Sequence, residues 1–374
     1  MTEIKLSNKK IDANYIIAEQ LEDIARGAAL LGTGGGGDPY IGRLLALSAI
    51  NEFGPPMLIN ASELKDDATV LTIAMVGAPA VITEKGSSGF EIDLAIQKME
   101  EKLGKKADAI IPIEIGGLNS MIPILAAART KLPLVDADGM GRAFPEIQMV
   151  TFNIFGVPCT PAVITDEHLN VLTLETHNAK RAEDLVRVSS IEMGCSVIMS
   201  SYSMTGKQAK NFAVHGTMSM ALEIGKAIRL GRINGDPFTS LIDYLSSNQY
   251  YNYCKVIFDG KVADIKRETK QGFNVGHCFL DALDGSQDRM EVLFQNEHLV
   301  AKLNGHVKTI VPDLICIVDR ESCEPITVEA LKYGQRVKVI GMSAAPIMRT
   351  QAALDVFGPQ AFSLDEPFTP IEKL

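Results

Sequence analysis

The stretch Val135–Glu146, VDADGMGRAFPE, places three carboxylates, two glycines and a guanidinium within a single short segment. Asp136, Asp138 and Glu146 are groups that hold or move protons or bind a cation, and the planar fork of Arg142 suits an oxygen or carboxylate of a bound molecule. The preceding apolar run, Leu132–Val135, reads as a buried strand that ends where the acids begin. Ligands of open α/β sheets sit outside the carboxyl ends of strands, and loops there carry function disproportionately. On this reading Asp136 or Asp138 is a base or a metal ligand, Arg142 clamps the substrate, and Glu146 orients Arg142. The competing structural reading is a turn that caps a helix, with Arg142 merely paired to a carboxylate.

A second segment with chemical potential is Gly32–Asp38, GTGGGGD. Four consecutive glycines cost unfolded-state entropy, so the chain there is expected to need unusual dihedrals or close approach. The bare amides of Gly34, Gly35, Gly36 and Gly37 before a helix could form a nest for an anion, with Asp38 holding the other side of a substrate. Asp38 also fits a plain N-cap. No Gly-Lys-Ser/Thr follows, so this is no Walker loop. A GxGxxG reading on Gly32, Gly34 and Gly37 fails because a helix, not a strand, precedes it. A third turn, Gly116-Gly117-Leu118-Asn119-Ser120, follows another apolar strand, with Glu114 two residues before it. Gly116, Gly117 and Asn119 there join the candidate substrate contacts. If the sheet is parallel, this turn, the Asp136 loop and Gly77-Ala78-Pro79 converge on one rim.

Metal ligation is open. The six histidines form no HxH or HExxH spacing. His215, before a helix, and the adjacent His277 and Cys278 are the candidates for a divalent metal such as zinc, although neighbours on a strand point to opposite faces. The six cysteines include no CxxC pair and read as small buried hydrophobes.

The elements that must position these groups follow from periodicity. Apolar residues at three- and four-residue spacing predict helices over 14–31, 39–51, 89–103, 118–129, 145–155, 178–193, 219–230 and 237–245. The first start could be capped by Asp12 or Asn14, and Pro145 would open the 145–155 helix. Short apolar runs predict strands at 57–60, 69–76, 109–115 and 132–136, then at 162–164, 171–175 and 196–201. The alternation of continuous apolar strands with helices predicts an α/β domain over residues 1–165 with a mainly parallel sheet. Residues 166–374 read as a β-rich α+β domain with a helical insert, a small barrel or sandwich whose turns include Asp259-Gly260, Asp284-Gly285 and Asn304-Gly305.

Composition narrows the function. The chain has 374 residues, 46% of them apolar and 22% charged, with a net charge of −10. The acidic balance and scattered basic residues argue against nucleic acid, which needs clustered cations. No apolar stretch reaches membrane-span length and the N-terminus lacks a secretory pattern, so a cytoplasmic protein acting on a small molecule is expected. A homo-oligomer is the expected assembly on general grounds.

Together GTGGGGDPYIG, IEIGGLNS and VDADGMGRAFPE resemble the S-methyl-thiohydantoin desulfurase-like family over essentially the whole chain. Members of that family often occur near hydantoinase-type proteins, so such a partner is implied. The resemblance implies a hydrolase acting on a thiohydantoin- or hydantoin-like five-membered ring. In the named activity water replaces an S-methyl group, giving a hydantoin and methanethiol. The alternative is a non-catalytic metabolite-binding or regulatory subunit of a hydantoinase-type complex. A nucleotide-binding enzyme using the glycine loop is disfavoured by the lack of a phosphate-binding lysine there.

Overall fold

The structure is a computed structural model that describes residues 14–77, 81, 88–270 and 272–374. Asp12 and the expected loop residues Ala78 and Pro79 lie outside the described residues. The N-terminal part is built on a seven-stranded mixed sheet. Its strands are β1 (Leu58–Ile59), β2 (Thr69–Gly77), β3 (Ala109–Pro112), β4 (Leu134–Val135), β6 (Ala162–Thr165), β7 (Val171–Leu174) and β8 (Ser196–Thr205), in the order β1-β4-β3-β2-β8-β6-β7. The first four run parallel, with Leu58 opposite Leu134 and Val70 opposite Ala109. β8, β6 and β7 are antiparallel additions. All four residues of β3 are buried, the mark of a strand covered on both faces. The edge strand β7 is largely exposed. This sheet therefore runs on past residue 165, because β7 and β8 complete it.

Most predicted helices form close to their expected places: Leu21–Leu31, Pro39–Phe53, Phe90–Leu103, Ile122–Thr130, Ala179–Glu192, Thr217–Asn234 and Pro237–Ser246. The expected helix over 145–155 does not. Only Thr151–Ile154 is helical. The backbone before it is held by tertiary partners instead of by its own turns: the Ile147 amide donates to Glu183 at 3.0 Å and the Tyr202 hydroxyl donates to the Ile147 carbonyl at 3.0 Å. Each such bond removes the need for an intrahelical one.

The C-terminal part is a curled antiparallel sheet. Its strands are β10 (Cys254–Lys270), β11 (Phe273–Ala282), β12 (Arg289–Gln295), β13 (Glu297–Leu303), β14 (His306–Ile310), β15 (Leu314–Asp319) and β16 (Arg336–Met342), in the order β14-β13-β12-β11-β10-β16-β15. Alternating burial along β12 packs Met290, Val292 and Phe294 into a second core with Phe258, Cys278 and Leu280. Asn304-Gly305, with φ of 50° and 84°, forms the expected tight turn between β13 and β14. Asp259-Gly260 does not make a turn. β10 continues through it, because Asp259 and Gly260 pair with Lys338 and Val337 of β16 and bulges on either side absorb the bend.

No helix among the described residues is long and apolar enough to cross a membrane. Two short strands, β5 (Ala137–Asp138) and β9 (Val214–His215), tie the acidic segment to the start of the Thr217–Asn234 helix.

Candidate functional site

A cavity of about 530 Å³ opens between the two sheets. From the first sheet its wall takes the ends of β2 and β3, including Val76, Gly77 and Glu114; Gly36, Asn119 and Glu297 complete the floor. Two of the parallel strands, β2 and β3, thus deliver their carboxyl ends to one rim. β13 of the second sheet supplies Glu297 from the opposite side.

Two carboxyls dominate this floor. Glu114 leaves β3 just before the Gly117–Ser120 turn, and its Oε1 accepts from Asn119 Nδ2 at 2.7 Å. Asn119 is itself fixed on β2: its Oδ1 accepts from the Met75 amide at 2.7 Å and its Nδ2 donates to the Met75 carbonyl at 3.1 Å. Glu297 opens β13 after Asn296, which takes a left-handed turn at φ 59° and is tied to Asn274 through both its amide and its side chain. Asparagine tolerates that conformation well. Glu297 Oε1 accepts from the Gly36 amide at 3.1 Å. In both residues Oε2 is buried without a hydrogen-bond partner.

Burial drives the electrostatics. Desolvation pushes Glu114 up to about 8, against the lowering effect of Asn119 and with a further push from Asp138. Desolvation likewise pushes Glu297 up to about 8, helped by the charge of Glu114 and opposed by Arg142. Two acids that share a low-dielectric site cannot both ionise cheaply, so with both raised to about 8 the pair is largely protonated at neutral pH and gives up its first proton as pH approaches that value. A protonated acid beside an ionised one is the arrangement general acid–base chemistry uses.

The residues singled out from sequence fall into two groups. Gly36, Gly37, Asn119 and Glu146 line the cavity. Asp136, Asp138 and Arg142 lie behind it, and their bonds are structural. Asp136 caps the Thr217–Asn234 helix from outside, accepting from the Met218 and Ser219 amides at 2.9 and 3.1 Å and from the Ser219 hydroxyl at 2.5 Å. Asp138 is fully buried, and its Oδ2 accepts the amides of Ile115, Met140 and Gly141 at 2.9, 3.1 and 2.8 Å. Desolvation outweighs those bonds and raises it to about 7.

Arg142 is buried between the two parts of the chain. It donates to the carbonyls of Ala143, Pro312, Asp313 and His298 and to the Thr33 hydroxyl, and its guanidinium stacks 4.5 Å from the Phe144 ring centre. Burial lowers it to about 10, so it remains a cation at neutral pH. Glu146 does not orient it; that carboxylate pairs with Lys180 at 3.2 Å and accepts from Gln148. Asp38 caps the Pro39–Phe53 helix through the Tyr40 amide at 2.9 Å. Gly34 and Gly35 pack against His298 and Glu297, and Gly116 packs against Ala143.

The metal candidates lie apart. His215 Nε2 bonds the Lys210 carbonyl at 2.7 Å, and His277 Nδ1 pairs with Glu291 at 2.7 Å. Cys278 faces the second core, where burial pushes its thiol up to about 12. Among the described residues no three His, Cys, Asp or Glu side chains cluster to hold a metal ion.

Sequence reasoning missed Glu297 and gave Glu114 only a position. The available signals were an acid next to the double-glycine turn and an acid in the short polar stretch Gln295–His298 between the apolar Phe294 and Leu299-Val300.

Fold and site together define an α/β protein with a buried acid pair where a mixed sheet meets a curled antiparallel one. The chain belongs to the S-Me-THD-like family: the N-terminal domain of that family matches residues 19–176 and the C-terminal domain matches residues 177–371. This is the family its three motifs resemble. An X-ray structure of a protein from Chromobacterium violaceum shares the fold, with a TM-score of 0.79 at 24% identity over 96% of this chain and 100% of that one. No match was found among curated proteins.

Proposed function

We propose that the cavity hydrolyses a thiohydantoin- or hydantoin-like five-membered ring, with Glu114 and Glu297 as its acid–base pair. The observation that carries this reading is the pair itself: two buried carboxyls on one cavity, each with one oxygen tethered and one without a partner. Membership of the S-Me-THD-like family favours a thiohydantoin-like ring as the substrate class, and a cavity of about 530 Å³ accommodates such a ring with a substituent.

For an S-methylated ring the chemistry balances as follows. The ionised member of the pair takes a proton from water as the oxygen bonds to the ring carbon bearing sulfur. The carbon–sulfur bond then breaks with its electron pair leaving on sulfur, and the protonated member supplies the thiol proton. One water hydrogen ends on the ring nitrogen, the other on methanethiol, and the ring carbon becomes a carbonyl. Positioning and proton transfer are the contributions these residues make. Asp136, Asp138 and Arg142 act through the scaffold in this scheme.

The test is a panel of hydantoins, thiohydantoins and S-methylated forms, assayed for thiol release and ring opening with the wild type, Glu114→Gln and Glu297→Gln. Turnover by the wild type that falls on the order of 100-fold in each variant supports the assignment. Tight calorimetric binding of the rings without turnover replaces it with a metabolite-binding role. Neither binding nor turnover overturns the ring as ligand.

A further inference from the structure

The glycine run raised the expectation of an anion nest, and the Gly36 amide is taken by a carboxyl of the chain itself. Gly36 N donates to Glu297 Oε1 at 3.1 Å, and the Gly36 carbonyl accepts from the Leu118 amide at 2.9 Å. Leu118 belongs to the turn whose next residue, Asn119, donates to Glu114 Oε1 at 2.7 Å. An unbroken path of three short links therefore joins one carboxyl to the other through backbone and a locked amide side chain.

The approach is close enough to demand glycine. A methyl group at Gly35 would overlap the Glu297 carboxyl, and one at Gly34 would overlap the His298 ring. At Gly36, where φ is 71°, it would come within 2.8 Å of the Gly116 carbonyl. The loop is also pinned from the C-terminal part, since His298 N donates to the Thr33 carbonyl and Val328 N to the Gly34 carbonyl, both at 2.8 Å. Arg142 adds a bond of 2.8 Å to the Thr33 hydroxyl.

We propose that Gly34–Gly36 and Asn119 are positioning residues: a gauge that sets the separation of the Glu114 and Glu297 carboxyls by direct bonds to each. This rests on the acid pair being the reactive group. It also makes a claim about geometry that is independent of turnover. Glycine serves here because only bare backbone fits between a carboxyl on one side and the Gly116–Gly117 turn on the other.

The test uses full-length protein labelled with carbon-13 at the glutamate side-chain carboxyl, titrated by NMR, alongside thiol-release kinetics. In the wild type two glutamates are expected to titrate well above the ordinary carboxylate range, at about 8, because burial disfavours their charged forms. In Gly35→Ala the Glu297 signal moves further up, because the Gly36 amide bond that favours its carboxylate is lost, while the Glu114 signal keeps its place. Because 1 Å of misplacement can cost about 100-fold, kcat falls by that order with little change in KM. In Asn119→Ala the Glu114 titration moves and the Glu297 titration does not, which tests the same path from its other end should Gly35→Ala fail to fold. A carboxyl that titrates unchanged after loss of its own tether overturns the gauge. Titrations that move as described in a protein without turnover leave the gauge standing and remove the hydrolase instead.

Discussion

Glu297→Gln is the most informative single perturbation. The amide retains a carbonyl oxygen for the Gly36 N–H bond and nearly the same volume, but it cannot ionise. Glu297 is 1% exposed and burial raises it from 4.5 to about 8. Between those values the native protein keeps a proton that the unfolded chain has released. Stability attributable to this residue therefore falls as pH rises from 4.5 to about 8, by about 1.36 kcal/mol per pH unit. Below 4.5 both states are protonated and the penalty vanishes; above about 8 both are ionised and it is constant.

Integrated over that window the penalty reaches about 4 kcal/mol by pH 8, a ceiling because water penetration relaxes buried charge. Urea unfolding of both proteins at closely spaced pH values measures it directly. The variant curve should run parallel to wild type at low pH, then gain on it steadily toward pH 8. Thiol release should be lost over the same range. A constant difference across all pH would refute the reasoning, since Glu297 would then ionise normally in the folded protein.

Arg142→Met should cost about 3–5 kcal/mol, because several buried carbonyls lose their donor, and should push the Glu297 titration higher by removing the cation that opposes its rise; unfolding and NMR titration check both. Asp136→Ala should lower stability by about 1–2 kcal/mol through loss of a helix cap without changing kcat, which thermal melts and kinetics separate. Asp138→Asn should fold almost as stably as wild type near neutral pH, since an amide oxygen can still accept the three amides, whereas Asp138→Ala strands them at about 1–3 kcal/mol each. Equal stability of the two Asp138 variants would show that those amide bonds contribute little.

Much of the fold was legible because helices and buried strands carry their period in the chain. The 217–234 helix announces itself by apolar spacing, and β3 by an unbroken run of buried residues. The failures have a common cause. Asp259-Gly260 has turn chemistry, but pairing with β16 on one side and β11 on the other keeps the strand going. Residues 145–150 begin with a helix-favouring proline, but Glu183 and Tyr202 take their backbone bonds. In each case a partner distant in sequence outbid a local preference. VDADGMGRAFPE shows the same effect at the site. Its charged groups were visible, yet Asp136 and Asp138 satisfy backbone amides and Arg142 satisfies carbonyls. Residue type alone does not reveal whether a carboxylate faces a cavity or a helix end.

The position of Glu297 explains why the pair itself stayed hidden, and it also constrains how the protein works. Gly36 and Glu297 are 261 positions apart, so no local pattern could join them. One carboxyl comes from the carboxyl end of a strand in the first sheet and the other from the start of a strand in the second. The acid pair therefore exists only when the two parts are docked. Arg142 lies in that same junction, bonded to Thr33 on one side and to His298, Pro312 and Asp313 on the other. Its cation offsets the cost of bringing Glu297 into the interface, and Glu297 in turn favours the charged form of Arg142. Arg142 of the VDADGMGRAFPE signature thus builds the joint that brings the acid pair together, and Asp136 and Asp138 hold backbone behind it, so these three charges are accounted for without touching the cavity that Glu146 lines.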